Sequence, residues 1–152
     1  MLKQYWLMKS EPSVYSIDTL QKEKTTPWEG VRNYQARNFM RDKMQIGDKV
    51  LFYHSNAKET GIVGLAEVSK LAYPDHFAWD KKSKYFDPKS SPEKPIWMMV
   101  DVKYEKTLPR VITLSELKTY KELEGMLVIK KGQRLSIQPV EKSHYNFVLS
   151  LV

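Results

Sequence analysis

Residues 50–54 read Val-Leu-Phe-Tyr-His and residues 61–68 read Gly-Ile-Val-Gly-Leu-Ala-Glu-Val, with a polar turn at 57–60 between them. The first run is apolar and aromatic without alternation, which fits a central strand rather than an edge strand. The two runs predict a hairpin in the middle of a sheet. Gly61 and Gly64 suit a bulge or a close approach of backbones, features that a closed or strongly coiled sheet needs.

The rest of the chain supplies short elements to surround this hairpin. Residues 5–8, Tyr-Trp-Leu-Met, predict a buried first strand that ends before Pro12. Ser16 is the expected N-cap of a short helix over 17–22, with Asp18 near its positive end and Ile17 and Leu20 on its inner side. Phe39, Met40 and Met44 predict a helix over 34–44 that carries Arg32, Arg37 and Arg41 outward. Residues 46–49 form a turn, 96–104 a further strand, and Thr113 to Glu116 a capping box that opens a short helix. Residues 126–129 are apolar without a readable period. Residues 134–139 alternate as a strand stopped by Pro139, and Tyr145, Val148, Leu149 and Val152 predict a terminal helix from 141 onward. Between them, the stretch 73–95 is rich in proline, charge and aromatics, as functional or mobile loops are.

At 152 residues the chain has the length of one domain, 1–152, expected to be a monomer. The formal net charge of +7 favours anionic partners, nucleic acid first among them. The absence of cysteine excludes disulfides, thiolate zinc sites and cysteine nucleophiles. The three histidines lack metal-ligand spacing, so neither a metal nor a cofactor is expected. No apolar stretch approaches the length needed to span a bilayer, and the expectation is a cytoplasmic protein without a membrane partner.

Residues 28–38, Trp-Glu-Gly-Val-Arg-Asn-Tyr-Gln-Ala-Arg-Asn, carry the chemistry of recognition rather than of bond making. A Trp or Tyr face stacks on a planar base, Arg offers fixed donors to phosphates or base edges, and Asn or Gln pairs with both donors and acceptors of a nucleobase. Tyr53, His54, Ser55 and Asn56 at the end of one strand, Ser136 on another, and Lys9 and Ser10 at the end of the first bring hydroxyl, imidazole and amide groups to a sheet edge. The expected base pocket is therefore Lys9, Ser10, Trp28, Asn33, Tyr34, Tyr53, His54, Ser55, Asn56 and Ser136. Arg32, Arg37, Arg41 and Arg134 are the expected contacts to the nucleic-acid backbone. Each has a plainer role open to it: Asn33 as a helix cap, Ser10, Ser55 and Asn56 as turn residues, the arginines in ion pairs, and Trp6 and Trp97 in the core.

These blocks, 31–38 and 52–56 above all, together with 5–8, 9–12, 73–75 and 136–139, resemble the EVE-domain family of the PUA-like superfamily, in its thymocyte nuclear protein 1-like branch. The likeness extends over nearly the whole chain. It implies an α+β fold, a PUA-like small mixed β-barrel surrounded by short helices. It also implies a non-enzymatic domain whose concave pocket takes a modified nucleobase from DNA or RNA, such as a methylated or hydroxymethylated cytosine. The chain starts almost at its first strand, without the long basic leader of eukaryotic members, which favours a bacterial-type cytoplasmic setting over a nuclear one.

Two other readings stand beside this one: an enzyme on a nucleotide or modified base using His54 or Asp75 for proton transfer, and a protein-interaction adaptor. A Ser-His-Asp hydrolase is disfavoured by the lack of a Gly-x-Ser-x-Gly elbow. Adjacent strand residues such as His54 and Ser55 also point to opposite faces. No catalytic residue is assigned.

Overall fold

The computed structural model describes residues 3–152. Its centre is the expected hairpin. Strand β3 (Lys49–His54) pairs antiparallel with β4 (Gly61–Pro74), with His54 opposite Gly61 and a register shift at Phe52/Tyr53. Strand β1 (Tyr5–Ser10) lies parallel to β3 on its other side, and β6 (Ile137–Val140) closes antiparallel onto β1. Strand β5 (Met98–Thr113) pairs with β4, and the short β2 (Thr25–Pro27) pairs with β5. The result is a mixed six-stranded sheet in the order β2-β5-β4-β3-β1-β6.

Alternation along the strands sends side chains into two cores, which is why the central runs look uniformly apolar. Trp6, Met8, Val50 and Phe52 pack on one face with Ile17, Leu20 and Met40. Leu7, Leu51 and Tyr53 pack on the other with Leu117, Leu123, Tyr145 and Val148. The first face is covered by α1 (Ile17–Glu23), capped by the Ser16 hydroxyl on the Thr19 N–H, and by α2 (Tyr34–Asn38). The second lies under α3 (Leu114–Leu117) and α4 (Lys142–Ser150). Both glycines of β4 are places of close approach. A Cβ on Gly61 would lie 2.2 Å from the Ile112 carbonyl oxygen, and one on Gly64 would lie 2.5 Å from the Ile17 side chain.

Several expectations are corrected. The sheet does not close into a barrel: β2 and β6 are its edges, and the β4–β5 ladder is interrupted by repeated register shifts. Strands β4 and β5 run well beyond 68 and 104: the end of β4 pairs with Met98–Asp101, and the continuation of β5 pairs back along Gly61–Leu65, where Leu108 and Ile112 enter the second core. The helix over 34–44 is two pieces, α2 followed by a π turn at Phe39–Lys43 in which the Met44 N–H reaches the Phe39 carbonyl. Pro139 does not stop β6. It lies within it, opposite Trp6, because an edge strand tolerates a residue without an N–H. Thr113 caps α3, while Glu116 does not complete a capping box; its carboxylate takes Arg110 and the Tyr120 hydroxyl. Trp97 is buried as expected but precedes β5, its indole N–H donating to Asp87 at 2.7 Å.

Among the described residues no helix is long and apolar enough to cross a membrane, and no group of three His, Asp or Glu side chains is placed to hold a metal ion.

Candidate functional site

Where β1 ends, the chain turns through 11–15, and this turn, the segment 26–32 after β2, the dipeptide Lys84-Tyr85 and Ser136 enclose a cleft of about 430 Å³. That volume suits a base-sized ligand. Edge pairing sets its floor. The β2–β5 ladder continues one bond past Pro27, with the Trp28 N–H on the Val100 carbonyl at 2.7 Å. The Trp28 ring is thereby held edge-on to Phe52, centroids 5.6 Å apart, with 8 % of its surface exposed.

The far wall is clasped shut by Asp75. Its carboxylate, wholly buried, accepts the Gly30 N–H at 2.9 Å, the Phe77 N–H at 3.0 Å and Arg32 Nη1 at 3.1 Å. Arg32 also donates from Nε and Nη2 to the Tyr85 carbonyl at 3.2 and 2.6 Å. The long loop is thus tied to the segment it faces. Gly30, at φ +81°, brings its backbone against the Tyr85 ring, so Tyr85 forms an aromatic wall.

The charge in the cleft is mixed. The Lys9 ammonium lies 5.7 Å from the Tyr53 ring centre, and burial pulls its pKa below the usual lysine value. Lys84 lies 5.1 Å from the Tyr85 ring centre. Against them stand Glu11, whose carboxylate accepts Asn56 Nδ2 at 2.9 Å, and Glu29, whose pKa is raised first by burial and then by the charge of Asp75. Cations, aromatic walls and a carboxylate in one concavity suit a planar, polar ligand on an anionic chain.

The sequence profile of the EVE domain matches residues 4–151. The chain belongs to the EVE domain family. Human thymocyte nuclear protein 1 is 45 % identical over 169 aligned positions that take in 99 % of this chain and 74 % of the human protein. Among solved structures, a Leishmania major protein superimposes with a TM-score of 0.94 at 55 % identity, covering 99 % of this chain and 94 % of that one. The human THYN1 protein, crystallised in complex with 5-methylcytosine-containing DNA, superimposes with a TM-score of 0.91 at 45 % identity, covering 98 % and 97 % of the two chains.

In this EVE domain, four residues of the expected pocket line the cleft: Lys9, Ser10, Trp28 and Ser136. Ser10 donates its hydroxyl to the Tyr15 carbonyl at 2.7 Å, and the Ser136 carbonyl accepts the Lys9 N–H at 2.8 Å. The others lie elsewhere. Asn33 caps α2, accepting the Ala36 N–H at 2.9 Å. Tyr34 is 57 % exposed and stacks on Trp97 at 4.9 Å. Tyr53 belongs to the opposite core, where burial pushes its phenol up to about 12. His54 accepts the Ile17 N–H through Nε2 at 3.1 Å. The Ser55 N–H bonds the Ser10 carbonyl, and Asn56 turns the chain at φ +51°.

The arginines differ as much. Arg32 lines the cleft but spends its donors internally, correcting its expected outward placement. Arg37 bonds the Ile96 carbonyl and Asn38 Oδ1 and lies 4.9 Å from the Tyr34 ring centre. Arg41 pairs with Asp42 at the surface, and Arg134 is exposed on the approach to β6. Glu29, Lys84 and Tyr85 were missed. Glu29 sits inside the segment 28–38 itself, whereas only the Asp75 clasp brings residues 84 and 85 to it. Neither Asp75, with both oxygens engaged, nor His54, with Nε2 engaged, faces the cleft with a free basic atom.

Proposed function

We propose that this protein is a non-enzymatic reader of modified DNA, taking a base of the 5-methylcytosine type out of its stack and into the cleft beside β1. One observation carries the reading: its likeness over nearly the whole chain to the human protein solved with 5-methylcytosine-containing DNA. The cleft supports it with Trp28 and Tyr85 as aromatic surfaces, Lys9 and Ser136 as polar partners, and a chain charge of +7 that favours the phosphate backbone.

Magnitudes limit how such a reader gains selectivity. Stacking on an aromatic side chain contributes roughly 1–3 kcal/mol for any base, and burying one methyl adds only ~0.8 kcal/mol. Strong discrimination therefore depends on penalties for the wrong base, an unfilled niche or an unpaired polar group.

The test is salt-dependent binding to matched oligonucleotides carrying cytosine, 5-methylcytosine, 5-hydroxymethylcytosine, adenine or N6-methyladenine, as DNA and as RNA, with product analysis of the same samples. Binding that depends on the modification and yields no product is the expected result. Uniform binding with a steep salt dependence would reduce the reading to a basic surface, and a new product would replace it with an enzyme.

A further inference from the structure

The polar groups around the cleft divide into those already spent within the protein and those left for a ligand. The Ser10 hydroxyl is given to the Tyr15 carbonyl, and the Tyr15 hydroxyl to Glu23. Thr26 bonds the Pro27 carbonyl, and Glu11 holds Asn56. Asp75, behind the wall, is saturated by Gly30, Phe77 and Arg32. Among the described residues lining the cleft, one anionic acceptor has neither a hydrogen bond nor an ion pair: the carboxylate of Glu29.

We propose that Glu29 is the specificity-determining acceptor of the cleft, taking a hydrogen bond from the exocyclic amino group of the bound base and so selecting amino-bearing bases over their keto counterparts. The inference rests on the reader function proposed above and narrows it to one chemical class. Its physical basis is the asymmetry of base edges. Cytosine presents an N4 amino donor where thymine presents the O4 acceptor, and a carboxylate attracts the first and repels the second.

The surroundings place the group for this task. Glu29 lies between Trp28, held by the β5 edge, and Gly30, held by Asp75, so its backbone is fixed on both sides. Lys9 and Lys84 line the same concavity as donors, and Glu29 is the carboxylate there with both oxygens unengaged. Partial burial and then the neighbouring Asp75 charge raise its pKa, while the side chain stays open enough for a base to reach it.

5-Methylcytosine and thymine share a shape and a methyl group and differ at the position read, so they form a matched pair. Binding of wild type and Glu29→Gln to otherwise identical single-stranded DNAs carrying cytosine, 5-methylcytosine or thymine tests the proposal. Wild type is expected to prefer 5-methylcytosine over thymine by about tenfold, and Glu29→Gln, whose amide donates as well as accepts, to bring the ratio near one. Because Glu29 is exposed and bonds nothing, the variant should melt with wild type. A 5-methylcytosine to thymine ratio unchanged by Glu29→Gln, or equal losses for both bases, overturns the role of Glu29 and leaves the reader intact. Failure of wild type to separate 5-methylcytosine from cytosine overturns the reader and this inference with it.

Discussion

The backbone of Gly30 lies against the ring of Tyr85 so closely that a Cβ added to Gly30 would stand 2.5 Å from the ring carbons, at a φ of +81° that side chains rarely adopt. Gly30→Ala therefore combines a left-handed strain with an overlap. It is expected to cost roughly 2–4 kcal/mol in denaturant unfolding and to weaken ligand binding by displacing the aromatic wall. Adding Tyr85→Ala should recover the overlap but not the strain, so the double variant should be more stable than the sum of the two single losses.

Asp75 is the single carboxylate that ties Gly30, Phe77 and Arg32 together. Asp75→Ala leaves a partly buried guanidinium and two N–H groups without their acceptor, and a loss of about 2–4 kcal/mol is expected, the partial exposure of Arg32 keeping it below the figure for a fully buried pair. Arg32→Lys should also destabilise, since an ammonium cannot span Asp75 and the Tyr85 carbonyl with parallel donors. Equal unfolding midpoints for wild type and Arg32→Lys would refute the clasp.

Asn33 and Lys9 separate packing from recognition. Asn33→Ala removes the α2 cap and is expected to cost about 1 kcal/mol of stability while leaving the affinity for modified DNA unchanged. Lys9→Met keeps a long apolar side chain but removes the ammonium, and with it a cation that lines the cleft. It should weaken binding and, if the ammonium meets a phosphate, lower the salt slope by about one. A loss of affinity in Asn33→Ala at temperatures where it is fully folded would contradict the placement of Asn33 outside the cleft.

His54 makes stability depend on pH. Burial, against the weaker attraction of Asp18, holds its pKa below the ordinary histidine value, and Nε2 must stay unprotonated to accept the Ile17 N–H. As pH falls through ~6.5 the unfolded chain takes up a proton that the folded chain refuses, so stability falls and levels off only below the folded pKa. Unfolding midpoints between pH 7 and 5 should fall more steeply for wild type than for His54→Gln. Parallel profiles would remove His54 as the source.

Much of this architecture is local, and local features are legible in a chain. The uniform apolarity of 50–54 marked a strand covered on both faces because Val50 and Phe52 enter one core while Leu51 and Tyr53 enter the other. Ser16 and Thr113 marked helix starts because a hydroxyl two or three residues ahead of an N–H caps it whatever the tertiary setting. Pro139 misled because proline ends a strand only where a neighbour needs its N–H, and whether a strand is an edge is a property of the whole sheet.

The cleft divides along the same line. Sequence alone determined the aromatic and basic composition, the EVE likeness and the choice of 28–38 as a candidate segment, of which 28–32 line the cleft, since these depend on residue type and spacing. Tertiary structure decided which of those residues face one another. Asn33 spends its amide on a helix end and Tyr53 turns to the opposite core, while Tyr85, more than fifty residues from Trp28, is drawn to the site by Asp75 and Arg32. Contacts between distant segments depend on buried polar groups finding partners across the fold, and a linear pattern carries no record of which partner each will take.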